Sequence, residues 1–456
     1  MSQEKTIKSI EQRYKVNDIA YKGLHLWPIL RYYLCVKKTA NKSPVEVKSS
    51  TIPQMFSSFF YGLSSYFKKS DYMIMSSADQ RKLIDGKAID KSVDFIASKL
   101  NNSWILELST TGHYKKKQLR NRNVSSRVPL LLFTRIYSKL LLRNNRIENQ
   151  AILNNIISDL NVSVNTVELC KRHYAQYKVM RYFAKRKKWK AVFIVCHYTN
   201  MGYIKALREL KIPVIEIQHG LISKNHCAYN LYTEADTSFY PNFLLTFGEN
   251  ERKVFSNDNL FIDPENVIPV GHSYLEYIRE KYEGHDELKK IIGNYDNSVA
   301  ISSQDHPVEN KLIEFIKKAA LSNPKTVYIF IPRRYTKKRE EYDFPENVIM
   351  CPGMNVYEII SHVQTHATVF STVAIEAPAL GKSNILVNID DLSRIHLGKT
   401  LEDGDVHTYV NNTDEFNSAL KKKNSLSKQS IIASMSHYIK PNYEENISSF
   451  LKDKIQ

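Results

Sequence analysis

The sequence predicts an α/β protein built from two parallel-sheet lobes. Three observations predict it. Short, near-continuous apolar runs recur, each followed by a polar turn and a helical pattern, which is how strands buried on both faces read. The runs form two series, separated by a charged helical stretch between residues 271 and 297. The chain is also long enough for two cores, with 456 residues, 43% of them hydrophobic and 25% charged.

The first series predicts strands at 72–76 (YMIMS), 104–108 (WILEL), 191–196 (AVFIVC), 214–217 (VIEI) and 243–247 (FLLTF). The second predicts strands at 299–302 (VAIS), 327–331 (VYIFI), 368–371 (TVFS) and 384–387 (NILV). The expected domains are 1–285, with a basic helical segment, and 286–424. Residues 425–456 are expected as helices packing back on the lobes.

Charge bounds the partners. The net charge is +18, and 19 of the lysines and arginines lie between residues 111 and 190, against three acids. The basic character therefore belongs to one region. No nucleic-acid module accompanies it, so nucleic acid is not expected as a partner. Residues 128–142 (VPLLLFTRIYSKLLL) carry Arg135 and Lys139 on one helical face, which suits an interfacial helix or a buried amphipathic one. Aromatic residues crowd 56–67 (FSSFFYGLSSYF). Together these predict attraction to an anionic membrane surface. No run reaches the roughly 18 apolar residues that span a bilayer. The first residues lack a signal-like apolar core, and the five cysteines are odd in number and scattered, which fits a reducing compartment. Asp390-Asp391 is a lone acidic pair with no spaced partner, and no CxxC pair exists, so no metal is expected.

Parallel sheets bind ligands beyond the carboxyl ends of their strands. Four polar blocks stand there. After VIEI come Gln218, His219 and Gly220, with Lys224 and His226 nearby; His219 is placed to donate to a phosphate or to act as a base. Glu216 lies in the strand itself. Phe370-Ser371-Thr372 precedes a helix carrying Glu376, one turn beyond Thr372, where a carboxylate reaches sugar hydroxyls. Arg333 and Arg334 follow VYIFI and suit a pyrophosphate. Ser303 and Gln304 follow VAIS. In the first lobe, His113 follows WILEL and His197 follows AVFIVC, and either is a candidate base.

With these residues in view, the chain resembles bacterial surface-polysaccharide transferases of the GT-B type. That group includes capsule and lipopolysaccharide O-antigen glycosyltransferases and CDP-glycerol glycerophosphotransferases. The resemblance rests on the QHG block at 218–220, on FSTVAIEAPALGK at 370–382 and on Ser302-Ser303-Gln304. An early segment, GLHLWPILR at 23–31, resembles one near the start of capsule-biosynthesis proteins. One departure is clear. Where several such transferases carry a Lys-Pro-His-Pro-like segment, this chain reads Ile331-Pro332-Arg333-Arg334.

The resemblance implies two Rossmann-like lobes facing a cleft, the first binding acceptor and the second binding donor. It implies transfer of a sugar from a nucleotide-activated donor to a lipid-linked or growing cell-surface glycan, without cofactor or metal. Polyol-phosphate transfer and nucleotide-sugar epimerisation are the alternatives. Ser303, Gln304, Arg333, Arg334, Ser371, Thr372 and Glu376 would bind donor. His219, Glu216 and His113 are the catalytic candidates, and Gln218, Gly220, His197 and Lys224 would line the acceptor side. The implied location is the cytoplasm, peripheral at the inner face of the plasma membrane.

Overall fold

The apolar runs fold as strands whose residues are buried along nearly their whole length, so each sheet is covered on both faces. The computed structural model describes residues 3–40, 52–78, 81–84, 86–109, 112–141, 146–220, 222–223, 226–255, 259–304, 307–333, 337–423 and 427–455. Lys224 and Arg334 lie outside the described residues. The chain divides into two units, Met1–Val270 with Glu444–Gln456, and Gly271–Tyr443.

The first unit holds seven parallel strands: β1 (Tyr72–Ser77), β2 (Ser103–Leu108), β3 (Val124–Ser126), β4 (Ala191–Ile194), β5 (Val214–Ile217), β6 (Phe243–Thr246) and β7 (Val267–Pro269). Their order is β7-β6-β5-β4-β1-β2-β3. One core joins Met73, Trp104, Val192 and Val214 to Met180, Ile204 and Leu207 from the helices Thr166–Lys187 and Met201–Glu209. A second joins Leu244 and Val267 to Trp27, Leu30, Tyr229 and Phe261.

The second unit holds six: β8 (Asn297–Ser302), β9 (Thr326–Ile331), β10 (Val348–Ile349), β11 (Thr365–Thr368), β12 (Ser383–Val387) and β13 (His407–Val410), in the order β10-β9-β8-β11-β12-β13. All pairs are parallel. Both sheets thus start centrally, wind one way and then reverse. The reversal lies between β1 and β4 in the first unit and between β8 and β11 in the second. Such a reversal opens a crevice at the strands' carboxyl ends.

One predicted strand is displaced. Residues 368–371 were expected as a strand, but β11 is Thr365–Thr368 and the following residues form its exit loop. Thr365, His366 and Thr368 are polar yet fully buried. Their hydrogen bonds replace the apolar pattern that marks the other strands. A connected chain crosses four strands here: Ser302 Oγ to His366 Nε2 at 2.9 Å, His366 Nδ1 to Asn384 Oδ1 at 2.7 Å, and Asn384 Nδ2 to His407 Nδ1 at 3.1 Å. A buried network with every member satisfied fixes strand register. Burial holds the His366 imidazole far down, to about 4.

The early segment GLHLWPILR has a structural explanation. It forms the short hairpin Ala20–Tyr21 with Leu24–His25 and the start of the helix Trp27–Ala40. Oε1 of Glu11 accepts from Trp27 Nε1 at 2.8 Å and from Arg31 Nε at 2.9 Å, and both ionic side chains are wholly buried. Arg31 also donates to the carbonyl of Cys227 at 2.7 Å, while Tyr232 N donates to Glu11 Oε2. The segment therefore bolts down the loop that follows His226.

Candidate active site

The first unit gathers its chemistry where β4 and β5 end. β4 stops because Cys196 adopts a left-handed conformation, φ +62°, that non-glycine residues seldom occupy. The turn swings His197 inward. Its Nδ1 lies 2.7 Å from Glu216 Oε2, its backbone N–H donates to Oε1 at 3.1 Å, and its Nε2 lies 3.2 Å from the Ala228 carbonyl. Tyr229 donates to the same carboxylate at 3.0 Å. Burial pushes the Glu216 carboxyl up, but the His197 contacts outweigh it and hold it below the usual range. His197 and Glu216 are fully buried and committed to each other, so they brace the crevice floor.

His219 stands above them, half-buried. Its Nε2 lies 3.0 Å from Cys196 Sγ and 3.3 Å from the Tyr198 hydroxyl. Burial lowers the His219 imidazole, with the Glu216 carboxylate partly offsetting it. His219 is therefore neutral near pH 7, the form a general base requires. Burial raises the Cys196 thiol to about 11, so the sulfur beside it stays protonated. His226 adds a further ring, 5.9 Å from Tyr198 between centroids, and its buried Nδ1 meets no hydrogen-bond partner among the described residues. Gly220 is exposed and a Cβ there would meet nothing within 4 Å. Gln218 is a latch: its amide donates to Gly220 O and Glu251 Oε1, both at 2.9 Å, and accepts from Phe247 N at 2.6 Å.

His113 belongs to a separate cluster beyond β2. Its Nδ1 lies 2.9 Å from Glu107 Oε1, and its ring stacks on Tyr61 at 4.3 Å. Arg81 clamps the other Glu107 oxygen and reaches Asp94 at 3.0 Å. Burial pushes Glu107 up, but His113 and Arg81 hold it low. The Nε2 of His113 is buried and makes no hydrogen bond among the described residues.

In the second unit the loops after β8 and β11 adjoin. Ser303 donates to Glu309 at 2.8 Å, and Gln304 donates to Thr368 Oγ1 at 3.3 Å. Both side chains are buried and hold the loop in shape. Ser371 Oγ accepts from Val373 N at 3.3 Å, at the entry of the helix Val373–Ala379. Thr372 is exposed and makes no side-chain cap. One turn on, Glu376 is half-buried and accepts from the Tyr357 hydroxyl at 3.0 Å. Tyr357 sits on the helix Val356–His362, started by a capping box between Asn355 and Glu358. Burial, and then Glu376, push its phenol well above the ordinary range. Arg333 lies exposed directly after β9.

The structure thus brings Glu216, His197, Gln218, His219 and Gly220 together in the first unit, with His113 in its own cluster. It brings Ser303, Gln304, Ser371, Thr372 and Glu376 together in the second. Sequence reading missed Cys196, Tyr198, Tyr357 and Glu251. Glu251 is buried, lifted by burial to about 7, with one oxygen lacking a partner among the described residues. Cys196 was read as the last residue of a strand, and its turn is not written in its residue type. Among the described residues no group of three His, Cys, Asp or Glu side chains is arranged to hold a metal ion.

No family model matches the sequence, and no curated protein matches it. Solved structures do. The UDP-GlcNAc 2-epimerase from Neisseria meningitidis bound to UDP-GlcNAc is similar over 84% of this chain and 99% of its own, with 12% identity and a TM-score of 0.51. The fold is GT-B-like. The calicheamicin glycosyltransferase CalG4 aligns over 84% and 99% with 10% identity and a TM-score of 0.49. A putative UDP-N-acetylglucosamine 2-epimerase from Listeria monocytogenes aligns over 84% and 95% with 9% identity and a TM-score of 0.48. At these identities the likeness establishes architecture: two parallel Rossmann-like sheets of seven and six strands.

Proposed function

We propose that this chain is a glycosyltransferase that moves a sugar from a nucleotide-activated donor to a lipid-linked or growing cell-surface glycan. The observation that carries the reading is the second unit's crevice. There Glu376, held by Tyr357, stands one turn beyond the exposed Thr372 hydroxyl at the sheet's reversal point. A carboxylate so placed accepts hydrogen bonds from ribose hydroxyls, while Ser371, Thr372 and Arg333 meet the phosphates. His219 of the first unit takes the proton from the acceptor hydroxyl. The acceptor oxygen bonds to the anomeric carbon, the bond to the phosphate oxygen breaks, and the nucleotide leaves with both electrons. Glu216 and His197 are positioning residues for His219.

A nucleotide-sugar epimerase on the same fold is the second reading, and the solved structures above include such enzymes. The first unit's surface favours transfer to a membrane-linked acceptor. The helix Val128–Leu140 buries Pro129, Leu130, Thr134 and Ser138 and exposes Leu132, Phe133, Ile136 and Leu140, the last by 76%. Phe56 and Phe60 are exposed on the helix Ile52–Phe60, which packs against it, and Tyr182 is exposed on the helix Thr166–Lys187. Arg135, Lys139, Lys185 and Arg186 are exposed on the same helices. Apolar side chains among cations suit the anionic inner leaflet, each nearby cation contributing about 1 kcal/mol. An epimerase of free nucleotide sugars has no use for such a surface. Among the described residues no helix is long and apolar enough to cross a membrane. Incubation with nucleotide sugars and a lipid-linked acceptor, with products read by mass spectrometry, tests the proposal. Transfer supports it; interconversion of the donor sugar without any acceptor supports epimerisation instead.

A further inference from the structure

Among the described residues three arginines are buried, and two of them are neutralised. Arg31 is paired with Glu11, and Arg81 with Asp94 and Glu107, all through fully buried side chains. Arg127 is the third, only 7% exposed, and no carboxylate meets it among the described residues. Its backbone N–H donates to the Glu107 carbonyl at 2.9 Å, but the Glu107 carboxylate is taken by Arg81 and His113. The Arg127 guanidinium donates through Nη2 to Asn200 Oδ1, and its Cζ lies 5.3 Å from the centroid of the Tyr203 ring. Nε and Nη1 have no hydrogen-bond partner among the described residues, and of the two only Nε is closed off from solvent.

The surroundings add positive charge instead of offsetting it. Arg127 follows β3 directly and is the residue before the helix Val128–Leu140. Asn200, which the guanidinium touches, is the residue before the helix Met201–Glu209. Neither Arg127 nor Asn200 caps its helix through its side chain, and Ser126 Oγ accepts from Val128 N at 3.1 Å. The start of a helix acts as about half a positive charge. The guanidinium therefore stands beside two such starts with only an amide oxygen and an aromatic ring to meet it. A buried cation so placed destabilises a folded chain unless an anion joins it.

The place adjoins the first unit's crevice. Asn200 Nδ2 donates to the Cys196 carbonyl at 2.9 Å, which ties the guanidinium to the turn whose sulfur lies 3.0 Å from His219 Nε2. The helix that begins after Arg127 is also the one that exposes Leu132, Phe133, Ile136 and Leu140. One helix thus joins a buried, unneutralised cation at its start to an apolar outer face. Helix starts supply backbone N–H groups and arginine a planar fork, and both suit the oxygens of a phosphate.

We propose that Arg127 and the starts of these two helices bind a phosphate group carried by the acceptor. Its assignment to the acceptor rests on the transferase reading; the phosphate site itself rests on the geometry around Arg127.

The test is calorimetric titration of the full chain with inorganic phosphate and with octyl phosphate, in the parent, Arg127→Gln, Arg127→Lys and Arg333→Gln. The parent is expected to bind, and Arg127→Gln to bind about tenfold more weakly or worse. Arg127→Lys, which keeps the charge, should bind more tightly than Arg127→Gln, and Arg333→Gln, in the nucleotide crevice, should match the parent. Tighter binding of octyl phosphate than of inorganic phosphate assigns the group to a lipid; binding no tighter assigns it to a soluble phosphoester, and both support the site. In phosphate-free buffer Arg127→Gln is expected to melt no lower than the parent, because it removes a buried charge that has no partner. No binding at millimolar concentration, or full binding by Arg127→Gln, would overturn the proposal. So would equal weakening in both Arg127 variants, or a loss shared by Arg333→Gln. An Arg127→Gln variant that melts lower would show the arginine to be structural and would likewise overturn it. Sugar transfer without phosphate binding would sink this inference alone, whereas phosphate binding without transfer would sink the transferase reading and leave the site standing.

Discussion

The Tyr357 hydroxyl donates to Oε1 of Glu376 at 3.0 Å, joining two helices on the second unit's sheet. The bond orients the carboxylate by one of its oxygens. Tyr357→Phe removes the donor and keeps the ring. The expected outcome is a donor KM raised about fivefold, matching about 1 kcal/mol for one hydrogen bond, with kcat and melting temperature little changed. An unchanged KM would show that Glu376 needs no such support.

The first unit separates bracing from chemistry. Glu216→Ala leaves His197 and Tyr229 without their shared acceptor in a buried site, so a loss of about 3 to 5 kcal/mol is expected in urea denaturation. His219→Ala removes a half-buried ring that carries no such load. It is expected to keep the parent's stability within about 1 kcal/mol while turnover falls by about 10² or more. Equal destabilisation by both changes would contradict the division.

Acid sensitivity follows from His366. Its folded value is about 4, against about 6.5 when unfolded. The unfolded chain therefore binds more protons between those values. This group's contribution is complete above about pH 6.5, falls as pH drops through the window to about 4, and changes no further below. The loss from this residue is roughly 2 kcal/mol by pH 5. Denaturation midpoints at pH 7.5 and pH 5 check it, and His366→Gln is expected to flatten the difference by that amount.

Membrane association is expected to need both halves of the exposed surface. Vesicles containing anionic lipid should carry the chain in flotation, and neutral vesicles should not. Phe133→Ser with Ile136→Ser should abolish flotation without altering melting, since both side chains are about half exposed, at 52% and 48%. High salt should release the protein, because the basic residues act through a screened potential. Binding indifferent to lipid charge would contradict the docking surface.

Much of the fold was legible because parallel strands buried on both faces read as unbroken apolar runs. VIEI at Val214–Ile217 and VYIFI within Thr326–Ile331 are such cases. β11 was misplaced because Thr365, His366 and Thr368 satisfy their polarity through partners on other strands, which no local pattern reveals. The strands β3, β7 and β10 span three residues or fewer and carry too little pattern to detect. At the site, residue types announced His219 and Glu376. Their supports, Cys196, Tyr198 and Tyr357, depend on a left-handed turn and on a helix distant in sequence. The amphipathic run at 128–142 left open which face is buried, because helical periodicity places residues on faces without saying which face meets the core.

The central claim is that the second unit holds a nucleotide through Glu376. Its most direct test is the melting temperature of the full chain with CMP, CDP, UDP or GDP, measured for the parent and for Glu376→Ala. One nucleotide at a hundredfold excess over its Kd should stabilise the parent by about 2.7 kcal/mol, and the variant should lose most of that shift. No shift with any of the four, or a shift that Glu376→Ala retains in full, would contradict the account.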